Sequence, residues 1–232
     1  MVSAVRRLLD ELSWEGNARK YRGGGLGLEN VLTTEVFQAL DFLPREAFLG
    51  AVLRAAVGAD SVRAHAAAQV ERAVVDLLPG DLIEPDLSLR VQPDAVISSP
   101  STYVFVEAKR IRTSLFSVEQ VARELLVTAH HGAGRQPLLL LVLGTPPPLR
   151  VKGHGAVPVA DALQLGMDSI SARLERDLPA LNTDSLVAYV TWSEIAAEVE
   201  RAAAAYRATD DGAGQTVKRL AASLTQAVRV HG

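Results

Sequence analysis

The chain has 232 residues, 24 Lys and Arg against 27 Asp and Glu, and a hydrophobic share of 48%, enough apolar material for the core of one ordinary domain. A formal net charge of −3 excludes a bulk electrostatic grip on nucleic acid, so any hold on phosphates must come from local clusters. The absence of cysteine excludes disulfides and thiolate metal sites.

In chain order, residues 2–12 read as a short amphipathic helix, with Val5, Leu8, Leu9 and Leu12 at helical spacing. They do not read as a basic start followed by an apolar run, so no secretory signal is expected. The run Arg22-Gly23-Gly24-Gly25-Leu26-Gly27 lacks the Gly-Lys-Ser/Thr ending of a nucleotide-cradling loop and follows no strand; it reads as a connector or a close backbone crossing. Residues 29–43 predict a helix, apolar at Val31, Leu32, Val36, Leu40 and Leu43. Pro44 opens the next helix, 45–57, and Gly58-Ala59-Asp60-Ser61 is a break with N-cap chemistry. A third helix is expected over 62–78, ended by Pro79-Gly80-Asp81. Residues 1–59 are therefore expected to form a helical segment ahead of a core over 60–232, both within one compact unit.

The informative stretch follows. Residues 87–91 predict the first strand, and 91–98 and 103–111 predict two more, joined by the turn formers Ser99, Pro100 and Ser101. If Ser98 pairs with Tyr103, simple subtraction sets Asp94 opposite Glu107. Tyr103, Phe105, Glu107 and Lys109 then share one face, while Val104, Val106 and Ala108 share the other. Asp94, Glu107 and Lys109 meet on one small surface. Two carboxylates there offer hard oxygen ligands for a divalent cation, with an ammonium alongside.

Residues 116–130 predict an amphipathic helix striped by Val118, Val121, Leu125 and Leu126, with Gln120 and Arg123 near its start. His130 and His131 close it, and neighbours on a helix do not face each other, so they read as structural. The run 138–143 is apolar throughout, as in a strand buried on both faces. A helix over 160–178, a strand over 185–190 and helices over 194–206 and 216–230 complete the chain. The longest apolar stretch, 137–144, is too short to span a bilayer; cytoplasm is the expected location and no membrane partner is expected. Three basic clusters stand out: Arg19, Lys20 and Arg22; Lys109, Arg110 and Arg112; and Arg150 with Lys152. Only the second adjoins the acidic surface, and the others read as solvated.

Pro93-Asp94, a spacer of twelve residues, then Glu107-Ala108-Lys109 resembles the signature of the PD-(D/E)xK nuclease superfamily. The resemblance implies a restriction-endonuclease-like α/β fold, a central mixed sheet flanked by helices, here with an N-terminal helical extension. It implies a Mg²⁺- or Mn²⁺-dependent nuclease hydrolysing phosphodiester bonds, on DNA ahead of RNA. Asp94 and Glu107 would be metal ligands, with the Ala108 carbonyl as a third, and Lys109 would act on the attacking water or the phosphate. A helix before the first strand would supply another acid: Glu71, or else Glu35, or more distantly Glu29. Gln120 would orient substrate or contact phosphate, and Arg110 and Arg112 would hold neighbouring phosphates. Restriction, defence and repair are all compatible, as are a homodimer or a separate partner subunit. Two other functions compete: a catalytically silent nuclease-fold binding or assembly module, and a metal-dependent hydrolase of a small phosphoester. The intact acid-acid-lysine set speaks against the first. The lack of any nucleotide-pocket motif speaks against the second.

Overall fold

The structure is a computed structural model that describes residues 26–109, 116–132 and 134–231. Three helices come first, α1 (Leu26–Phe42), α2 (Leu49–Ala55) and α3 (Asp60–Ala67), then a 3-10 turn at Val70–Arg72. Five strands follow: β1 (Val74–Leu77), β2 (Leu82–Glu84), β3 (Leu89–Val91), β4 (Ala95–Ser98) and β5 (Thr102–Ala108). Next come α4 (Val118–His131), β6 (Gln136–Leu143), β7 (Leu149–Val151), β8 (Gly155–Val157) and α5 (Val159–Leu174). The short α6 (Thr183–Leu186), β9 (Val187–Thr191), α7 (Trp192–Ala205) and α8 (Asp211–His231) close the chain.

The fold is α/β. Its central sheet has the order β1-β4-β5-β6-β9, antiparallel from β1 to β5 and parallel from β5 to β9. Every residue of β5 is buried, and so is β6 from Leu138 onward, as strands covered on both faces must be. On one face Val104, Val106, Leu138, Leu140, Val142, Ala188 and Val190 pack with residues of α1, α2, α3, α7 and α8. On the other, Phe105, Leu139, Leu141 and Leu143 meet Val121 and Leu125 of α4 and Leu163 of α5. The two helices on this second face lie very close: a Cβ added at Gly166 of α5 would stand 2.3 Å from the Val118 carbonyl oxygen. Only glycine allows that approach, which fixes the first turn of α4. Among the described residues no helix is long and apolar enough to cross a membrane.

Ser98 pairs with Tyr103, the premise of the subtraction, and the register continues to Ala95 opposite Val106, one step short of Asp94 and Glu107. Three expectations fail. The helix expected over 62–78 ends at Ala67, and Val74–Leu77 pairs antiparallel with β4 instead. The β-branched Val74 and Val75 suit a strand, and β4 has an open edge that needs a partner, so non-local pairing overrides helical periodicity. Residues 87–91 are likewise not the first strand of the main sheet. Leu89–Val91 pairs with Leu82–Glu84 in a separate two-stranded ribbon. The extended run expected over 91–98 breaks between β3 and β4, where Pro93 has no N–H to offer a ladder.

Candidate active site

Asp94 leads into β4 just after that break. Its N–H donates to the Val106 carbonyl at 3.1 Å and its carbonyl accepts from Leu78 N–H at 2.9 Å, so its backbone is fixed between β5 and the end of β1. Its Oδ2 accepts the Ala108 N–H at 2.7 Å, folding the carboxylate over the end of β5. Glu107 projects from β5 on the α4 side and is 5% exposed. Its Oε1 is ion-paired with Lys109 Nζ and accepts from Gln120 Nε2 at 2.8 Å.

Lys109 is held at its backbone from two directions. Its N–H donates to the Val142 carbonyl at 2.7 Å, and its carbonyl accepts the indole N–H of the fully buried Trp192 at 2.9 Å. The side chain, 12% exposed, runs beneath Phe116, whose ring centroid lies 5.7 Å from Nζ. Gln120 is set by the helix start: Ser117 caps α4 and accepts the Gln120 N–H at 3.2 Å. One turn on, Glu124 is 3% exposed and borders the same cluster. Burial, then the charge of Glu107, raises its carboxyl well above the ordinary value, against the opposing pull of Lys109 and a hydrogen bond with Gln120. Among the described residues its Oε2 has no hydrogen-bond partner.

Asp94, Glu107, Lys109 and Gln120 are therefore neighbours, and Glu124 joins them as an acid that sequence reasoning missed. A signal was present. Gln120, Glu124 and Thr128 form an i, i+4 polar line beside the apolar stripe of α4, and Glu124 and Thr128 are both buried. Glu71 is not brought to this cluster. The helix meant to carry it ends at Ala67, and Glu71 sits exposed in the 3-10 turn, its Oε1 accepting the Glu46 N–H at 2.9 Å. Glu35 is exposed on α1, which covers the opposite face of the sheet. Glu29 also falls in α1. Arg110 and Arg112, like Arg19, Lys20 and Arg22, lie outside the described residues.

No protein-family model, curated protein or solved structure matches this chain. Function must be argued from the site itself.

The donor set suits a hard divalent cation in kind: carboxylate oxygens, a strand-end carbonyl, and one buried carboxyl oxygen left without a partner. It is not preassembled. Among the described residues no three acidic or imidazole groups converge to hold a metal as they stand, and Glu107 Oε1 is engaged by Lys109 and Gln120. Turning the Glu107 carboxylate away from Lys109 would open it as a ligand. A separate cavity of about 600 Å³ lies along the edge strand, lined by Val57, Leu163, Val187 and Tyr189 with Asp60 and Asp184. Its two acids and apolar walls suit neither phosphate nor a hard cation flanked by a lysine, so the candidate site is the cluster at the β5 end.

Proposed function

We propose that the chain is a metal-dependent phosphodiesterase acting on DNA, built on a restriction-endonuclease-like fold. The observation that carries this reading is the convergence of Asp94, Glu107 and Lys109 at the end of β5, on the face crossed by Gln120 and Glu124 of α4. The sheet order and the αβ crossover from β5 through α4 to β6 support the same fold. Mg²⁺ or Mn²⁺, when bound, would supply Lewis-acid polarisation of the phosphate and a water of lowered pKa.

The protein's own part is positioning and charge. Asp94 and Glu107 would hold the cation, with the Ala108 carbonyl beside them, and Glu124 takes the role that Glu71 was expected to fill. Lys109, freed from Glu107 when that carboxylate turns to ligate, would donate toward the phosphate oxygens on which negative charge develops. Gln120, released from the same oxygen, would orient the attacking water or the phosphate. Trp192 keeps the lysine's backbone in place while its side chain changes partner.

Cleavage of end-labelled single- and double-stranded DNA in Mg²⁺, Mn²⁺ or EDTA tests this. Wild type should cut only with metal. Asp94→Ala and Lys109→Ala, after circular dichroism shows them folded, should each lose at least ~10²-fold in rate, the range seen when one charge-stabilising group is removed. One observation favours a second reading, a silent nuclease-fold binding module: the Glu107–Lys109–Gln120 contacts already satisfy one another. Folded wild type that neither cuts DNA nor binds Mn²⁺ in calorimetry would decide for it.

A further inference from the structure

Beside the proposed site stands a surface that the reading above does not use. β7 and β8 form an antiparallel hairpin, Leu149 opposite Val157 and Val151 opposite Gly155. Along β7 the burial alternates as a strand with one covered face requires: Leu149 and Val151 are buried and Arg150 is exposed between them, and Lys152, in the turn that follows, is exposed as well. The buried side is fastened to the site. Phe116 bridges Val151, donating its N–H to the Arg150 carbonyl and accepting the Lys152 N–H, both at 2.9 Å. Phe116 is itself fully buried and carries Lys109 Nζ at 5.7 Å from its ring. One aromatic side chain thus separates the hairpin from the lysine.

Among the described residues neither Arg150 nor Lys152 makes an ion pair. In a chain whose acids outnumber its bases, no acidic residue occurs anywhere between Glu124 and Asp161. The rest of the hairpin tip is open: Gly153, His154, Gly155 and Ala156 are exposed, and a Cβ at either glycine would meet nothing within 4 Å. A polyanion can approach this backbone closely, and the two cations give up no ion pair with any described residue when they bind it.

We propose that the outer face of the β7–β8 hairpin is a phosphate-binding rail that holds the DNA backbone beside the carboxylates. The inference rests on the nuclease reading, and it names the part of the surface that grips the substrate. Arg150 and Lys152 neutralise backbone phosphates without reading sequence, so their contribution appears as counterion release.

The test is fluorescence anisotropy of labelled duplex DNA in EDTA, where nothing is cut, as a function of salt. It compares wild type, Arg150→Ala/Lys152→Ala, and Lys218→Ala as a control on the exposed side of α8, across the sheet. Loss of two phosphate contacts should make the plot of log K against log salt shallower by about 1.8, so the variant's deficit shrinks about 12-fold between about 50 and about 200 mM salt. Lys218→Ala should follow wild type. Wild type that binds DNA while the double variant keeps both its affinity and its slope overturns the rail and leaves the nuclease reading standing. Wild type that neither binds nor cuts DNA overturns both.

Discussion

The two faces of the central sheet are built from neighbouring residues of the same strands, yet they differ in kind. On the face covered by α1, α2, α7 and α8, the sheet contributes apolar side chains from Ala95 and Ile97 through Val106 and Leu140 to Val190, with the hydrogen-bonded hydroxyls of Thr102 and Ser99 at one end. On the face covered by α4 and α5 the same apolar packing runs from Tyr103 and Phe105 and then stops. There Asp94, Glu107, Lys109, Gln120 and Glu124 fill the space that leucines occupy elsewhere. Burying such groups costs free energy unless each is paired, and even a well-paired buried set is often no more stabilising than apolar residues of the same volume. One face holds the chain together. The other carries groups that folding alone gives no reason to keep.

The comparison can be broken hardest on the apolar face. Leu140 is fully buried between Val106 and Ala188. Leu140→Ala should lower unfolding stability by about 2–5 kcal/mol, read from urea denaturation. Catalytic rate per folded molecule should hardly change, because no site residue leans on that side chain. Loss of activity in step with Asp94→Ala would mean the faces are not separable. The next largest effect is expected at the helix contact on the other face. Gly166→Ala drives a methyl against the Val118 carbonyl and the Ala122 Cβ, which would lie at 2.3 and 2.7 Å. A cost of about 1–3 kcal/mol is expected. Here stability and rate should fall together, since the displaced turn carries Gln120.

How much of this was legible depends on whether the signal was local. The β4–β5 register was, because a period-2 hairpin with a buried face admits one pairing, and a slip of one residue would turn every side chain over. The buried strand at Leu138–Leu143 was, from its unbroken apolar run. The stretch 62–78 was not. Its alanines and helical spacing are real, but Val74–Leu77 is claimed by β4, twenty residues further on. Glu71 left the site along with that helix. Glu124 was only half legible: its i, i+4 line with Gln120 and Thr128 stands in the sequence, but a glutamate in a helix reads as solvated until the sheet beneath it is known. Arg150 and Lys152 read as solvated because the bridge from Phe116 to Val151, which sets them beside Lys109, is set by tertiary contact.

Glu124 gives the finest test of the contrast, because it turns the sign around. Its carboxyl is raised above the ordinary 4.5, first by burial and then by Glu107, so the folded chain holds this proton more tightly than the unfolded chain does. The stability linked to that proton is fully present below about pH 4.5, and is lost as pH rises through the folded-state value. Glu124→Gln keeps the shape and has no proton to lose. The variant should therefore gain on wild type as pH rises from 4 to 8, by less than either loss above, in urea denaturation without metal. Saturating Mn²⁺ should narrow or reverse the difference, because a ligand that binds the folded wild type through this carboxylate stabilises it by mass action. A difference independent of pH would mean that Glu124 binds its proton equally in the folded and the unfolded chain. Its carboxyl would then lack the buried, unpaired character that offers it to a cation, and the case for this face as a site would lose that support.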